Sequence, residues 1–395
     1  MKILFQGDVL KDVFCLDEAW QADDSFVFLP DRNGSREDWI RKGIEKLPGE
    51  MKKSHFGLLT SGSTGAPKLI FGVKSRSEKL ARVLHEMQES EPAHSAVLML
   101  PLTYCYSFVN QWVWSRVMNR KLIITPGLKY PGKTAEVLGT VDEAMLCLVG
   151  AQVPLFINYF RNQVFPGIIR LHFAGGPFPQ QHMDAVQHFF PSAKIFNNYG
   201  CAEAMPRLSL RALGESDEGA NIGRPIRSVE LKSGEDDELL FRSPYRAVAF
   251  YDDSGFHEIR DEEWVPTGDL GEPIENGYWR IKGRANEVYK RFGEKIALPQ
   301  LLRSVYGVWT GQAAFYREAD PNGEEGHILV LCPVPDEEAV RKILQQFRKN
   351  HPRAHWPLRI ESVDHIPLLM NGKVDYLSLK RMDRKKEHWR QFQVS

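Results

Sequence analysis

The stretch His55-Phe56-Gly57-Leu58-Leu59-Thr60-Ser61-Gly62-Ser63-Thr64-Gly65-Ala66-Pro67-Lys68 decides how the rest of the chain is read. Its apolar start, His55 to Leu59, reads as a strand that runs into a loop of glycines and hydroxyls closed by a lysine. The glycines let backbone N–H groups come close to a ligand, the hydroxyls donate hydrogen bonds and the lysine supplies charge. Together they can surround the oxygens of a polyphosphate. The loop is not of the Walker A type: Gly65-Ala66-Pro67 precedes Lys68, and the Gly-Lys-Ser/Thr ending is absent. Pro67 also blocks the smooth helix start which that loop needs.

Upstream of this loop, Pro30-Asp31-Arg32-Asn33-Gly34-Ser35 reads as a connection and Trp39 to Leu47 as a helix. Downstream, to about residue 200, strand-like runs alternate with helical stretches. The runs are Ala96 to Leu100, Lys121 to Ile124, Ala144 to Val149, Ile168 to Phe173 and Lys194 to Phe196, with Ser77 to Gln88 and Gln180 to Phe189 among the helices. That alternation predicts βα units, an α/β class with a parallel sheet, and functional loops at the C-terminal strand ends. After residue 205 short strands such as Glu238 to Arg242 and Tyr278 to Lys282 sit between turn residues, which predicts a small antiparallel or barrel-like subdomain over 206–285. A small α+β domain over 286–395 follows, with a helix from about Glu337 to Asn350. The division is therefore 1–285 and 286–395. The basic run Lys380 to Lys386 reads as a solvated helix end.

Composition narrows the function classes. The 395 residues are 43% hydrophobic and 26% charged, the texture of a core-building globular chain. Lys plus Arg and Asp plus Glu both total 51, so the basic excess of a nucleic-acid binder is missing. Cys15, Cys105, Cys147, Cys201 and Cys332 form no Cys-x-x-Cys pair. Such a sparse, odd set fits a reducing compartment and neither a disulfide framework nor a zinc cluster. With no apolar leader and no membrane-length apolar run, a cytoplasmic protein without a membrane or nucleic-acid partner is expected.

Four further segments follow the loop: Asn198-Tyr199-Gly200-Cys201-Ala202-Glu203, Thr267-Gly268-Asp269-Leu270-Gly271, Gly283-Arg284-Ala285-Asn286-Glu287 and Pro367-Leu368-Leu369-Met370-Asn371-Gly372-Lys373. In order and spacing the five resemble the adenylate-forming superfamily of AMP-forming acyl- and aryl-CoA synthetases, luciferases and adenylation domains, over roughly residues 56 to 380. The resemblance implies a large α/β domain and a small mobile C-terminal one, with ATP, Mg²⁺ and a coenzyme A or phosphopantetheine thiol as reactants. It assigns Thr60 to Gly65 and Lys68 to the phosphates and Tyr199 to stacking on adenine. Gly175-Gly176-Pro177 lines the other side of the nucleotide, and Asn198, Gly200 and Ile281 belong to the same site. Glu203 would hold Mg²⁺, a hard cation suited to carboxylate oxygen. Asp269 would accept from the ribose hydroxyls, Arg284 would stand beside ribose and phosphate, and Asn286 would be the hinge. Lys373, on a C-terminal loop, would bridge the substrate carboxylate and the α-phosphate, where two anions must be brought together. Arg291-Phe292-Gly293-Glu294-Lys295 would line the thiol tunnel.

The chain also departs from the family pattern. Ala202 stands where a threonine is expected, so one hydroxyl aimed at the α-phosphate is lost, at a cost of about 0.5–1.5 kcal/mol. Only 59 residues precede the phosphate loop, where family members carry a much longer segment. An abbreviated front could expose apolar surface, which predicts a homodimer.

The resemblance places the acid pocket after Pro101, at Leu102 to Phe108, with Tyr104, Cys105, Tyr106 and Phe108 lining it and Ala174 and Cys201 assigned beside them. No acidic residue lies between Pro101 and Arg116, so a buried α-ammonium would have no partner, and amino acids are disfavoured. The aromatic rings suggest a small aryl carboxylic acid. The expected function is activation of that acid to acyl-AMP and its transfer to the thiol of coenzyme A or an acyl carrier protein. The alternatives are an aliphatic acyl-CoA ligase, an adenylate donor to an amine, and a non-catalytic nucleotide-binding homologue.

Overall fold

Parallel strands form the centre of the first unit. Lys194–Tyr199, Ile168–Phe173, Ala144–Leu148, Ser95–Leu98 and Lys121–Ile124 lie side by side in that order, each parallel to its neighbour. Ser95–Leu98 and Ala144–Leu148 are buried along their whole length, as expected of strands covered on both faces, and they read as unbroken apolar runs for that reason. The computed structural model describes residues 1–30, 34–61, 67–216, 218–367 and 374–391. The assignments to Gly62, Ser63, Thr64, Gly65 and Lys373 therefore lie outside the described residues, as do the side chains of Ser61 and Asn286.

The loop from Gly200 to Leu208 is too short to hold a crossover helix, so Ser209–Ala212 returns antiparallel to Lys194–Tyr199, with Ser209 opposite Tyr199. From there Asn221–Pro225, Trp279–Arg284, Val265–Pro273, Glu238–Arg242 and Glu230–Ser233 continue outward, giving an 11-stranded sheet. The antiparallel texture expected after residue 205 is present, but these strands extend the edge of the parallel sheet and do not close into a barrel-like subdomain. Ala249–Asp252 and Gly255–Glu258 leave for a second sheet of six strands, in which Lys2–Phe5, Phe26–Leu29, His55–Ser61 and Pro67–Val73 precede them in order.

Helix Lys74–Met87 buries Ser77, Leu80, Ala81 and Leu84, a stripe at three- and four-residue spacing. An aromatic cluster forms part of the same core: Phe108 lies 5.2 Å from Phe56, 5.0 Å from Trp112 and 5.8 Å from Trp20, centroid to centroid.

The chain divides into two compact units, Met1–Thr267 with Glu272–Ile281, and Gly268–Gly271 with Lys282–Ser395. The second holds the hairpin Val288–Arg291 and Glu294–Ala297 and a four-stranded sheet ordered Gln312–Ala319, Glu325–Cys332, Arg359–Ser362, Lys386–Arg390. Its helix Glu337–Asn350 starts where expected because Asp336 caps it, accepting from the Ala339 N–H at 2.7 Å. Glu337 and Glu338 in the first turn and Arg348 and Lys349 in the last suit the helix dipole, and Val340, Ile343, Leu344 and Phe347 form the buried stripe. In the basic run, helix Tyr376–Arg381 ends before Lys386, where the last strand begins.

Candidate active site

The strands His55–Ser61 and Pro67–Val73 are an antiparallel pair in which Thr60 faces Lys68 and Ser61 faces Pro67. The register brings the two described ends of the glycine-rich segment together, and Thr60 Oγ1 donates to the Lys68 carbonyl at 3.2 Å. Lys68 Nζ donates to Glu203 Oε1 at 2.8 Å across 135 residues of chain. It also stands 4.4 Å from the centroid of the Phe250 ring. Both side chains keep partial access, 24% for Lys68 and 20% for Glu203. A cation and a carboxylate so placed can divide a polyphosphate and its metal between them, the lysine going to phosphate oxygen and the carboxylate to the cation.

Glu203 is held by a short turn, Ala202–Ala204, whose backbone is pinned from outside: the Ala247 N–H donates to the Glu203 carbonyl at 2.8 Å. The turn follows Gly200, where a Cβ would lie 1.9 Å from the Pro206 carbonyl oxygen, so no other residue fits without moving the loop. Tyr199 ends its strand half-buried, and Cys201 is half-buried beside it. Asn198 is 2% exposed, and its Oδ1 accepts from Gln88 Nε2 at 2.7 Å. That bond ties Asn198 to the core. Gly175 has φ +78°, in the left-handed region that favours glycine, and at Gly176 a Cβ would meet nothing within 4 Å. The Pro177 carbonyl lies 2.3 Å from where a Cβ on Gly150 would stand, so Gly150 lets that loop approach.

The residues assigned to the acid pocket all lie in the first unit, and Cys105, Tyr106, Phe108 and Ala174 belong to one buried core cluster. Burial pushes the Tyr104 phenol up to about 12, and its hydroxyl has no partner among the described residues. Cys105 Sγ lies 3.7 Å from Met205 Sδ, and burial pushes its thiol up, which removes it as a nucleophile. Tyr106 donates its hydroxyl to the His172 carbonyl at 2.9 Å. Phe108 is fully buried within the aromatic cluster.

In the second unit, Arg284 Nε donates to Asp269 Oδ1 at 2.8 Å, and Asp269 is buried with 5% exposure. The positive φ of Gly268, +72°, sets the turn of backbone beside it. Ile281 belongs to the first unit and packs with Ile222, Leu239 and Trp279, its N–H donating to the Ala220 carbonyl at 3.0 Å.

No group of three His, Cys, Asp or Glu side chains able to cage a metal exists among the described residues. Mg²⁺ does not need one, since it binds through one or two carboxylates together with substrate phosphates. Glu203, partly accessible and beside Lys68, fits that use.

Three residues that the sequence did not single out stand at or under this region: Phe250 under Lys68, and His172 and Arg207 under Tyr106. No motif marks them, because each reaches its place through a contact with a distant segment.

The family model described as AMP-binding enzyme matches residues 17–242, more than half of the chain. A fatty acid–[acyl-carrier-protein] ligase of Mycobacterium marinum is 26% identical over 365 residues, covering 82% of this chain and 67% of its own length. A 2-succinylbenzoate–CoA ligase of Oceanobacillus iheyensis is 22% identical over 349 residues, covering 78% of this chain and 66% of its own. The chain thus spans about two thirds of the length of these relatives. Among solved structures, an O-succinylbenzoate coenzyme A synthetase from Bacillus subtilis in complex with AMP matches with a TM-score of 0.71 at 15% identity, covering 98% of this chain and 84% of that one. At that identity the likeness is one of fold. The matched region contains the strand pair, Lys68, the tyrosine loop and Glu203, and on that match the chain belongs to the AMP-binding enzyme family.

Proposed function

We propose that this chain is an AMP-forming acid–thiol ligase. In the first step a carboxylate oxygen of the acid forms a bond to the α-phosphorus of ATP, the bond from that phosphorus to the α,β-bridging oxygen breaks, and pyrophosphate leaves with the electron pair. In the second a thiolate of coenzyme A or a carrier-protein phosphopantetheine attacks the acyl carbon, and AMP departs with the electron pair of the broken C–O bond. The observation that carries this reading is the Lys68–Glu203 pair at 2.8 Å. It joins the glycine-rich hairpin to the tyrosine loop and supplies both a phosphate cation and a metal carboxylate.

Lys68 would bind the leaving phosphates and lower the repulsion between pyrophosphate and the incoming carboxylate. Glu203 would hold Mg²⁺, which when bound offsets the charge of the phosphates. The family resemblance gives the ribose to Asp269, the adenine face to Tyr199 and the bridging cation to Lys373. The tyrosines at 104 and 106 favour a flat acid over a long acyl chain, and the relatives that act on acyl carrier protein or coenzyme A support either thiol.

Pyrophosphate exchange into ATP over a panel of aryl and aliphatic acids tests the reading. Acid-dependent exchange is expected, and Lys68→Ala, Glu203→Gln and Lys373→Ala should each lower it by about 100-fold or more, the scale of one lost transition-state charge contact. Exchange that none of these variants slows would remove the assigned roles, and no exchange with any acid would remove the function.

A further inference from the structure

Arg207 is 1% exposed, and among the described residues no hydrogen bond or ion pair reaches its guanidinium. Its Nε and Nη2 are buried without an acceptor. The group lies 5.3 Å from the centroid of the Tyr106 ring, and the Tyr106 hydroxyl is already committed to the His172 carbonyl. His172 is itself 1% exposed and has both ring nitrogens without a partner among the described residues. Cys105 and Cys147, both buried, complete the surroundings.

Burial lowers the Arg207 pKa to about 10, which leaves it a cation at neutral pH, and lowers that of His172 to about 3, which leaves the imidazole neutral. A buried cation with empty donors is costly unless an anion completes it. The other buried arginines of this unit already have acceptors. Arg211 donates to the Ser216 carbonyl, and Arg246 donates to the carbonyls of Ser243 and Arg260 and pairs with Asp261.

We propose that the acid activated by this chain carries a second anionic group, a carboxylate, and that Arg207 binds it, with neutral His172 contributing a further hydrogen bond. The inference rests on the acid-activation reading and specifies its substrate class. Arg207 stands four residues after Glu203 in the sequence, so the two Cα atoms are at most about 14 Å apart. A compact diacid on an aryl or short aliphatic skeleton suits that span, with one carboxylate at the phosphates and the other at the guanidinium. A monoacid of the same skeleton would leave Arg207 unpaired, and a site built around a polar contact rejects the analogue that lacks it.

The test compares matched acids in pyrophosphate exchange: benzoate with isophthalate and terephthalate, butyrate with succinate and glutarate, and each diacid with its monoamide. Wild type is expected to favour the diacid over its monoacid by about 30-fold or more in kcat/KM, the range of a charge-assisted hydrogen bond. The monoamide should rank with the monoacid. Arg207→Met should bring the ratio near one, and Arg207→Lys should keep part of the preference. Thermal stability of the wild-type chain, measured without ATP, gives a second readout independent of any variant's folding: the diacid should raise Tm and the matched monoacid should not. Equal exchange and equal Tm shifts for diacid and monoacid, or a diacid preference that survives in Arg207→Met, would overturn the proposal and leave acid activation standing. Absence of exchange with every acid would overturn acid activation itself.

Discussion

Arg207 in the first unit and Arg291 in the second are buried to the same degree, each 1% exposed, yet the chain treats them oppositely. Arg291 Nη2 pairs with Asp320 at 3.4 Å, with both side chains fully enclosed, and its Nη1 donates to the carbonyls of Ala354 and Trp356 at 3.5 Å. Asp320 is anchored in turn, its Oδ1 accepting from the N–H groups of Asn322 and Glu324 at the turn between two strands. Among the described residues Arg207 has an aromatic face and no acceptor. A cation whose counter-charge is folded in beside it holds structure together. A cation buried without one is suited to a charge that arrives with a ligand.

The comparison can be broken most directly at Asp320. Asp320→Ala leaves Arg291 buried and uncompensated, and the expected loss is about 3–5 kcal/mol in urea unfolding of the full chain. A loss under about 1 kcal/mol would mean that the two carbonyls suffice and that the pair is not structural.

A smaller effect involves two histidines that share one condition. His172 and His327 both have pKa values lowered to about 3, chiefly by burial. Among the described residues His172 has no partner on either ring nitrogen, whereas Tyr289 and His327 share a hydrogen bond at Nδ1 of 2.5 Å. The folded form stays neutral while the unfolded chain takes up protons, so stability falls as pH drops from about 6.5 toward 3. Each histidine should withdraw about 2 kcal/mol by pH 5 relative to pH 7. Melting curves across that range check this, and His172→Phe or His327→Phe should each flatten the dependence. An unchanged slope in either variant would remove that histidine from the account.

The smallest stability effect is expected at Arg207 itself. Arg207→Met replaces an unpaired buried cation with an apolar side chain of similar length, and stability should stay within about 1 kcal/mol of wild type or rise. A fall as large as that of Asp320→Ala would make Arg207 structural and erase the distinction between the two arginines.

Much of this architecture was legible from the chain. Runs such as Ser95–Leu98 and Ala144–Leu148 announce parallel strands because a strand covered on both faces needs no polar alternation, and Glu337–Asn350 announces itself by cap, charge order and stripe. These are signals carried by near neighbours. The barrel-like reading of 206–285 went astray for the same reason: alternation and turns report that strands are antiparallel, but not which edge they join.

The sequence by itself determined the succession of strands and helices and the motifs that identify the family, since periodicity, capping and loop chemistry act over a few residues. Tertiary structure alone decided that Lys68 meets Glu203, that Asn198 is held by Gln88, that Phe108 belongs to the aromatic core, and that Arg207 is buried with no acceptor among the described residues. Each of these depends on segments far apart in the chain, and burial and pairing are properties of what surrounds a side chain in space, which one-dimensional spacing does not encode.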